Sequence, residues 1–295
     1  MQFKPKFIEK YEKITDIEKF KEFSLKEPRK SIRVNTIKIS VNELKERLKD
    51  FKLTQIDWCK EGFFIEGNRT DLGNLLEHSL GYFYVQEASS MLPPLALSPN
   101  ENDIVLDMAA SPGSKTTQLA SIMKNQGLII ANELKYERTK SLSINLERSG
   151  ITNTIITNSD ARNIKGNYDK ILLDAPCSGT GTIRKSPKTL KIWNPNMYRK
   201  LSNIQKQLIE HAFSLLKENG ILVYSTCSIS PEEDEEVIES LLNNHQNAKV
   251  EKINLNIKHV EPITDNKEVK NTLRIWPQDN DTDGFFVAKI KKVNL

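Results

Sequence analysis

From about residue 100 onward, short apolar runs alternate with longer stretches whose apolar positions recur every three or four residues, the rhythm of strand and helix along a mostly parallel sheet. Runs at 104–107, 128–132, 154–157, 170–174 and 221–226 read as strands, with two more around Val250 and over 284–290. Helical spacing occupies 114–123, 135–149, 196–217 and 231–243. The pattern predicts an α/β fold, seven strands in a doubly wound layer structure. Residues 1–95 differ: two short charged helices, a strand at 31–36, a helix at 41–50, short strands near Leu53 and Phe64, and a helix from Gln86. That mixture suits a small α+β module. Pro93, Pro94 and Pro99 break the chain before the first strand of the larger unit, so the module is drawn as 1–95 and the larger domain as 96–295.

Composition changes this picture little: 295 residues, 38% hydrophobic and 28% charged, suffice for one sizeable domain and a smaller one. The three cysteines, Cys59, Cys177 and Cys227, form neither a C-x-x-C nor a Cys/His cluster at metal spacing. A disulfide framework and a structural zinc are therefore unsupported, and a reducing compartment is expected. The first residues lack the apolar core of a signal peptide, and no apolar stretch reaches membrane-spanning length. These features lead us to expect a cytoplasmic protein, a monomer, without metal or membrane.

Net charge is only +4, but its distribution is uneven. From Gly181 to Gln207 there are seven basic residues, Arg184, Lys185, Lys188, Lys191, Arg199, Lys200 and Lys206, and no acid, with Trp193 and Tyr198 between them. A second acid-free stretch, 28–42, carries Arg29, Lys30, Arg33 and Lys38. Cations for phosphates and aromatic faces for unpaired bases are what looped RNA requires of a surface. Either stretch alone also suits a solvated face. The acidic run 232–236 follows Pro231 at a helix start, where carboxylates suit the dipole.

Strand 104–107 leads into Ala109-Ala110-Ser111-Pro112-Gly113-Ser114-Lys115 and then a helix, which turns amide donors toward a ligand. A P-loop needs glycine where this chain has Ala109 and Ser114, and the dinucleotide pattern G-x-G-x-x-G is missing. What remains is a first-strand acid, a turn on Gly113, and Glu133 about twenty residues on, where a carboxylate holds ribose hydroxyls. That arrangement fits S-adenosylmethionine. Asp160 either bonds the adenine amino group or simply forms a turn, and Arg138 reads as a solvated charge.

Cys177, in Asp174-Ala-Pro-Cys-Ser-Gly179, and Cys227, in Ser225-Thr-Cys-Ser228, each end an apolar strand-like run. Ligands collect outside the carboxyl ends of such strands, and a thiolate there can act as a nucleophile, although a lone cysteine is more often a small buried hydrophobe.

Together these segments resemble the Sun family of RNA cytosine-C5 methyltransferases, with Arg33-Val-Asn-Thr36, Arg274-Ile-Trp-Pro277 and Asp283-Gly-Phe-Phe286 matching further family motifs in order. The resemblance implies a Rossmann-like seven-stranded methyltransferase sheet with a small amino-terminal RNA-binding module. It implies Cys227 as nucleophile, Cys177 as the group aiding product release, and Asp174 as the contact to the target base, bordering the methyl donor as well. Ala109 to Lys115, Glu133, Arg138 and Asp160 would hold that donor. Ala109, Ser111 and Ser114 depart from the family's usual Cys, Ala and Gly, all small exchanges. The compact build is most like the archaeal transfer-RNA enzymes of the family, with ribosomal RNA as the alternative substrate.

Elementary chemistry agrees. Carbon 5 of cytosine is too weak a nucleophile to attack a sulfonium methyl until a thiolate adds at carbon 6, and the carbon 5 proton must leave before that thiolate can depart. Lys115 either lowers a thiolate pKa, holds the base, or stands at the surface. Arg29, Lys30, Arg33, Arg184, Lys185, Lys188 and Lys191 are the candidate RNA contacts. A DNA cytosine methyltransferase would leave Cys227 without a role, and a noncatalytic RNA-binding platform would not need both thiols and Asp174.

Overall fold

The computed structural model describes residues 3–294. In chain order its helices are α1 (Pro5–Tyr11), α2 (Ile17–Leu25), α3 (Val41–Arg47), α4 (Leu76–Ser79), α5 (Leu92–Leu97), α6 (Ser114–Ile122), α7 (Tyr136–Ser149), α8 (Lys188–Ile192), α9 (Asn196–Ser214), α10 (Glu235–Asn244) and α11 (Pro277–Asn280). Its strands are β1 (Ser31–Val34), β2 (Lys52–Ile56), β3 (Cys59–Glu66), β4 (Phe83–Val85), β5 (Ile104–Asp107), β6 (Leu128–Asn132), β7 (Thr154–Thr157), β8 (Tyr168–Asp174), β9 (Leu216–Thr226), β10 (Ala248–Glu251), β11 (Leu273–Ile275) and β12 (Phe285–Lys292).

The large sheet runs β10-β12-β9-β8-β5-β6-β7, with β11 joined to β12. Strands β5 to β9 pair in parallel, and β12 lies antiparallel on β9. Val105, Leu106, Ile171, Leu172, Leu222 and Val223 are fully buried, as expected for strands covered by helices on both faces. The seven expected strands are all present; β11 escapes a pattern search because three residues carry no periodicity.

The small sheet, β2-β3-β1-β4, closes over its own core of Ile32, Val34, Leu44, Leu48, Phe63, Ile65 and Phe83. Its fourth strand, β4, ends just before Gln86, where a helix is expected. The helix instead begins at Leu92, with Pro93 and Pro94 in its first turn, where a missing N–H costs nothing. These prolines start a helix rather than interrupt the chain.

Helices α1 and α2 are not merely charged. Phe7, Tyr11 and Phe20 are fully buried and pack away from the small sheet, against Trp193, Tyr198 and Trp276. Phe7 meets Trp193 edge to face at 5.2 Å, and the Tyr11 and Tyr198 hydroxyls are 2.8 Å apart. Trp193 and Tyr198 are thus core residues, which removes them as stacking faces for RNA bases.

Replacing Phe7 with alanine would open a cavity in this aromatic cluster. Phe7→Ala is expected to cost about 3–5 kcal/mol in denaturant unfolding, and a cost below about 1 kcal/mol would show that α1 is dispensable to the fold.

Candidate active site

Strands β5 and β8 are neighbours whose connections run to opposite sides of the sheet, so a crevice opens outside their carboxyl ends. Four strand ends feed it: the turn 109–113 after β5, Glu133 after β6, Asp174 and Cys177 at the end of β8, and Cys227 after β9.

In the turn, the Ala110 N–H donates to the Asn132 carbonyl at 2.8 Å and the Gly113 N–H to the Ala110 carbonyl at 2.7 Å. Gly113 caps α6 at φ 103°, a left-handed conformation that glycine adopts without strain. The Ser111 hydroxyl donates to the Arg138 carbonyl at 2.9 Å, and the Arg138 guanidinium donates to the Ser111 carbonyl at 2.7 Å and lies 3.3 Å from the Glu133 carboxylate. Arg138 is therefore more than a solvated charge, because it ties the turn to Glu133. Glu133 is buried and accepts the Lys135 N–H at 2.9 Å, with lone pairs to spare. Small side chains, the unpaired first-turn amides of α6 and a carboxylate one strand away fit a nucleoside with its ribose hydroxyls. Asp160 accepts the Arg162 N–H at 3.0 Å, and the Arg162 side chain holds its carboxyl down at about 2. The turn-forming account describes Asp160 here, and a ligand would have to share it with Arg162.

Lys115 is buried, not a surface lysine. Its Nζ donates to Asp174 at 2.7 Å and to the Ser90 hydroxyl at 3.0 Å, and stands 5.7 Å from the Phe285 ring centre. Burial alone would lower its pKa, but the charge and hydrogen bond of Asp174 outweigh burial and raise it. The other Asp174 oxygen accepts the Ser225 hydroxyl at 2.7 Å. Ser90 carries no sequence signal of its own, whereas Ser225 and Phe285 lie within the segments 225–228 and 283–286 that carry the resemblance; all three arrive beside the ion pair through the fold.

The two sulfurs of Cys177 and Cys227 lie 3.2 Å apart, both free thiols and half-buried. The contact with Cys227, burial, and the charges of Cys227 and Glu233 raise the Cys177 pKa well above the usual thiol value. Either thiol can donate in the S–H···S contact. Cys59 lies in β3, where burial pushes its thiol up to about 12.

Of the candidate RNA contacts, two are excluded by burial. Arg33 is 2% exposed and donates to Gln86 and Thr117, both at 2.8 Å. Arg184 donates to the Thr282 and Glu27 carbonyls and pairs with Asp281 at 2.9 Å. An acid-free stretch of sequence did not mean acid-free surroundings. Lys185 pairs with Asp283 at 2.7 Å, Arg29 lies 3.5 Å over the Phe64 ring centre, and Lys30 donates to the Thr70 carbonyl at 2.9 Å. Lys188 and Lys191 stand exposed on α8. Among the described residues no group of three metal-ligating side chains gathers, and no helix is long and apolar enough to cross a membrane.

A sheet that is parallel from β5 to β9, with a small-residue turn after its first strand and a close thiol pair beyond its fourth and fifth, has the architecture of a Rossmann-like methyltransferase. Residues 94–291 match the family model described as 16S rRNA methyltransferase RsmB/F, and residues 3–88 match that of the N-terminal domain of 16S rRNA methyltransferase RsmF. The chain belongs to this RsmB/F, or Sun, family of RNA cytosine-C5 methyltransferases. It is 44% identical to the tRNA (cytosine(49)-C(5))-methyltransferase of Pyrococcus abyssi, over 97% of this chain and 96% of that one. It is 47% identical to ribosomal RNA small subunit methyltransferase F of Vibrio cholerae, over 90% of this chain but only 58% of that relative's length. Among solved structures it is similar to a methyltransferase homologue from Pyrococcus horikoshii (TM-score 0.85, 39% identity, 93% of this chain and 90% of that one). NSun6 from Pyrococcus horikoshii with SFG is similar too (TM-score 0.89, 25% identity, 99% of each chain).

Asp107, at the end of β5, is fully buried with only Thr116 donating to it, at 2.7 Å, and burial raises its pKa to about 6. An acid raised above its unfolded value of about 3.9 stabilises the fold below that pH and loses the contribution as pH climbs through the folded value. Asp107→Asn, with no charge to bury, should therefore gain on the wild type by about 2 kcal/mol between pH 4 and pH 8. Denaturant unfolding at both pH values checks this; an unchanged gap would show that Asp107 does not titrate in that window.

Proposed function

We propose that this chain methylates carbon 5 of a cytosine in transfer RNA, with S-adenosylmethionine as methyl donor and Cys227 as nucleophile. The observation that carries the reading is the pair of sulfurs 3.2 Å apart beside the Lys115–Asp174 ion pair. Support for transfer RNA is the near full-length match to the Pyrococcus abyssi enzyme, and support for the donor is the similarity to NSun6 with SFG, an S-adenosylmethionine analogue. Ribosomal RNA is the second reading, favoured by the ribosomal relatives.

Asp174, fixed by Lys115 and Ser225, accepts from the exocyclic amine of a cytosine and, once N3 takes up a proton, from N3–H, supporting charge that develops in the ring. Cys227 adds to carbon 6, which makes carbon 5 nucleophilic. S-adenosylmethionine, when bound by residues 109–115, Glu133 and Arg138, supplies the electrophilic methyl. Once the Cys227 charge is spent in the carbon–sulfur bond, Cys177 as the thiolate accepts the carbon 5 proton, the electrons of that C–H bond restore the ring double bond, and the bond to Cys227 breaks. The free cysteines suit a cytoplasmic setting.

Two substitutions test the division of labour in opposite directions. Cys227→Ala should form no covalent RNA complex and transfer no methyl, because the ring is never activated. Cys177→Ala should still attack and methylate, then stall as a denaturant-resistant adduct on a gel. A shift for Cys227→Ala and none for Cys177→Ala would reverse the assignment, and methyl transfer by both without any shift would sink covalent catalysis. Bisulfite mapping of the product distinguishes transfer from ribosomal RNA.

The exposed lysines of α8 are the proposed phosphate contacts beside the Cys177 loop. Replacing Lys188 and Lys191 with alanine should lower the steepness of the salt dependence of RNA binding by roughly 0.7–0.9 for each phosphate no longer neutralised. An unchanged slope would leave α8 a solvated face.

A further inference from the structure

The proposed chemistry needs two sulfurs from different loops held together, and one buried carboxylate touches both loops. Glu233 closes the 3-10 turn Pro231–Glu233 and is 0% exposed. One of its oxygens accepts the Ser178 N–H at 2.9 Å and the Gln205 amide at 3.1 Å. The other accepts the Ser228 hydroxyl at 2.6 Å and the Ser178 hydroxyl. Ser178 follows Cys177 and Ser228 follows Cys227. Gln205, from α9, also donates to the carbonyl of Pro176 at 2.9 Å, one residue before Cys177. The acidic run read from sequence as a helix-dipole feature thus sends three members inward, Glu233, Asp234 and Glu235.

All four donors on Glu233 are neutral groups, and among the described residues no cation pairs with it. A buried carboxylate is normally paired with a cation. If holding the loops were its whole task, a glutamine of the same shape could exchange hydrogen bonds with two hydroxyls that are free to turn. The uncancelled charge instead bears on the nearer sulfur by disfavouring a second negative charge at Cys177. The other groups around that sulfur are Cys227 from β9's end, the Gly179 N–H, whose hydrogen bond favours the thiolate, and the Tyr224 hydroxyl of β9, which burial keeps neutral.

We propose that Glu233 is a positioning residue for both active-site cysteines, clamping their loops at contact distance and leaving Cys227 the more reactive sulfur. The proposal rests on the reading that both cysteines work in catalysis, and its test separates the two.

The free protein, without RNA or methyl donor, is treated with iodoacetamide across a pH series, and alkylation of the Cys177 and Cys227 peptides is followed separately by mass spectrometry. In the wild type Cys227 should react first. Glu233→Gln should alkylate Cys177 roughly tenfold faster at pH 8, narrowing the lead of Cys227. With RNA and donor, it should lose roughly tenfold in kcat while KM for RNA stays within about twofold, since the clamp does not touch the phosphates. If Glu233→Gln lowers only the melting temperature and leaves both the alkylation order and kcat as in the wild type, Glu233 is packing and the proposal is overturned. Full methylation by Cys227→Ala would instead overturn the proposed function, while the alkylation order would still report on the clamp.

Discussion

Arg274 reaches from β11 into the interior, where it meets Asp234 at 3.0 Å, Glu235, and the carbonyl of Ile229 at 3.0 Å. All three charged groups are buried, and removing the guanidinium would strand two carboxylates in the core, a loss on the order of 3–5 kcal/mol. What Arg274 holds is the segment from Ile229 to Glu235, which follows Cys227 and carries Glu233. The same segment is fixed from the other side by the Thr226 hydroxyl on Asp234 and the Tyr224 hydroxyl on the Glu233 carbonyl at 2.6 Å. The chemistry at the sheet edge thus hangs on ion pairs buried beneath it.

A backbone constraint adds to this. Gly181 donates its N–H to the Cys227 carbonyl and accepts from Gly284, both at 2.9 Å, so the loop after Cys177, the loop after Cys227 and the start of β12 touch through main chain. A Cβ on Gly181 would stand 2.1 Å from the Gly284 carbonyl oxygen, and backbone cannot step aside as a side chain can. The matching glycines, far apart in sequence, are a single packing decision. Phe285, directly after Gly284, is thereby brought against the Lys115 amine.

Much of this was legible in the chain. Strands β5, β6 and β7 follow from uninterrupted apolar runs bounded by polar turns, and the cysteines, Asp174, Gly113 and Glu133 follow from their positions at strand ends. The reading failed where tertiary contacts override local character. Arg33 and Arg184 look like exposed cations because no acid is near in sequence, yet their partners, Gln86, Thr117 and Asp281, come from distant segments. Trp193 and Tyr198 look like stacking faces, but nothing local announces that the first helix covers them. Glu233 was hidden by its neighbours, since five carboxylates in a row suit a helix start and nothing local shows that Glu233, Asp234 and Glu235 turn inward.

The packing of the amino-terminal helices makes them part of the site's support. Lys4 donates to the carbonyls of Lys191 and Trp193 at 2.9 and 2.6 Å, closing the end of α8, and Lys10 pairs with Glu232, the neighbour of Glu233. Gln278, beside the buried Trp276, donates to Thr15 between the two helices at 2.9 Å. Helix α8 is only five residues long, too short to persist on its own propensity. Its exposed lysines therefore have a defined position only because Phe7, Trp193 and Tyr198 bury its other face. A segment that sequence rhythm assigns to the small module is thus what orients the cationic surface next to the Cys177 loop.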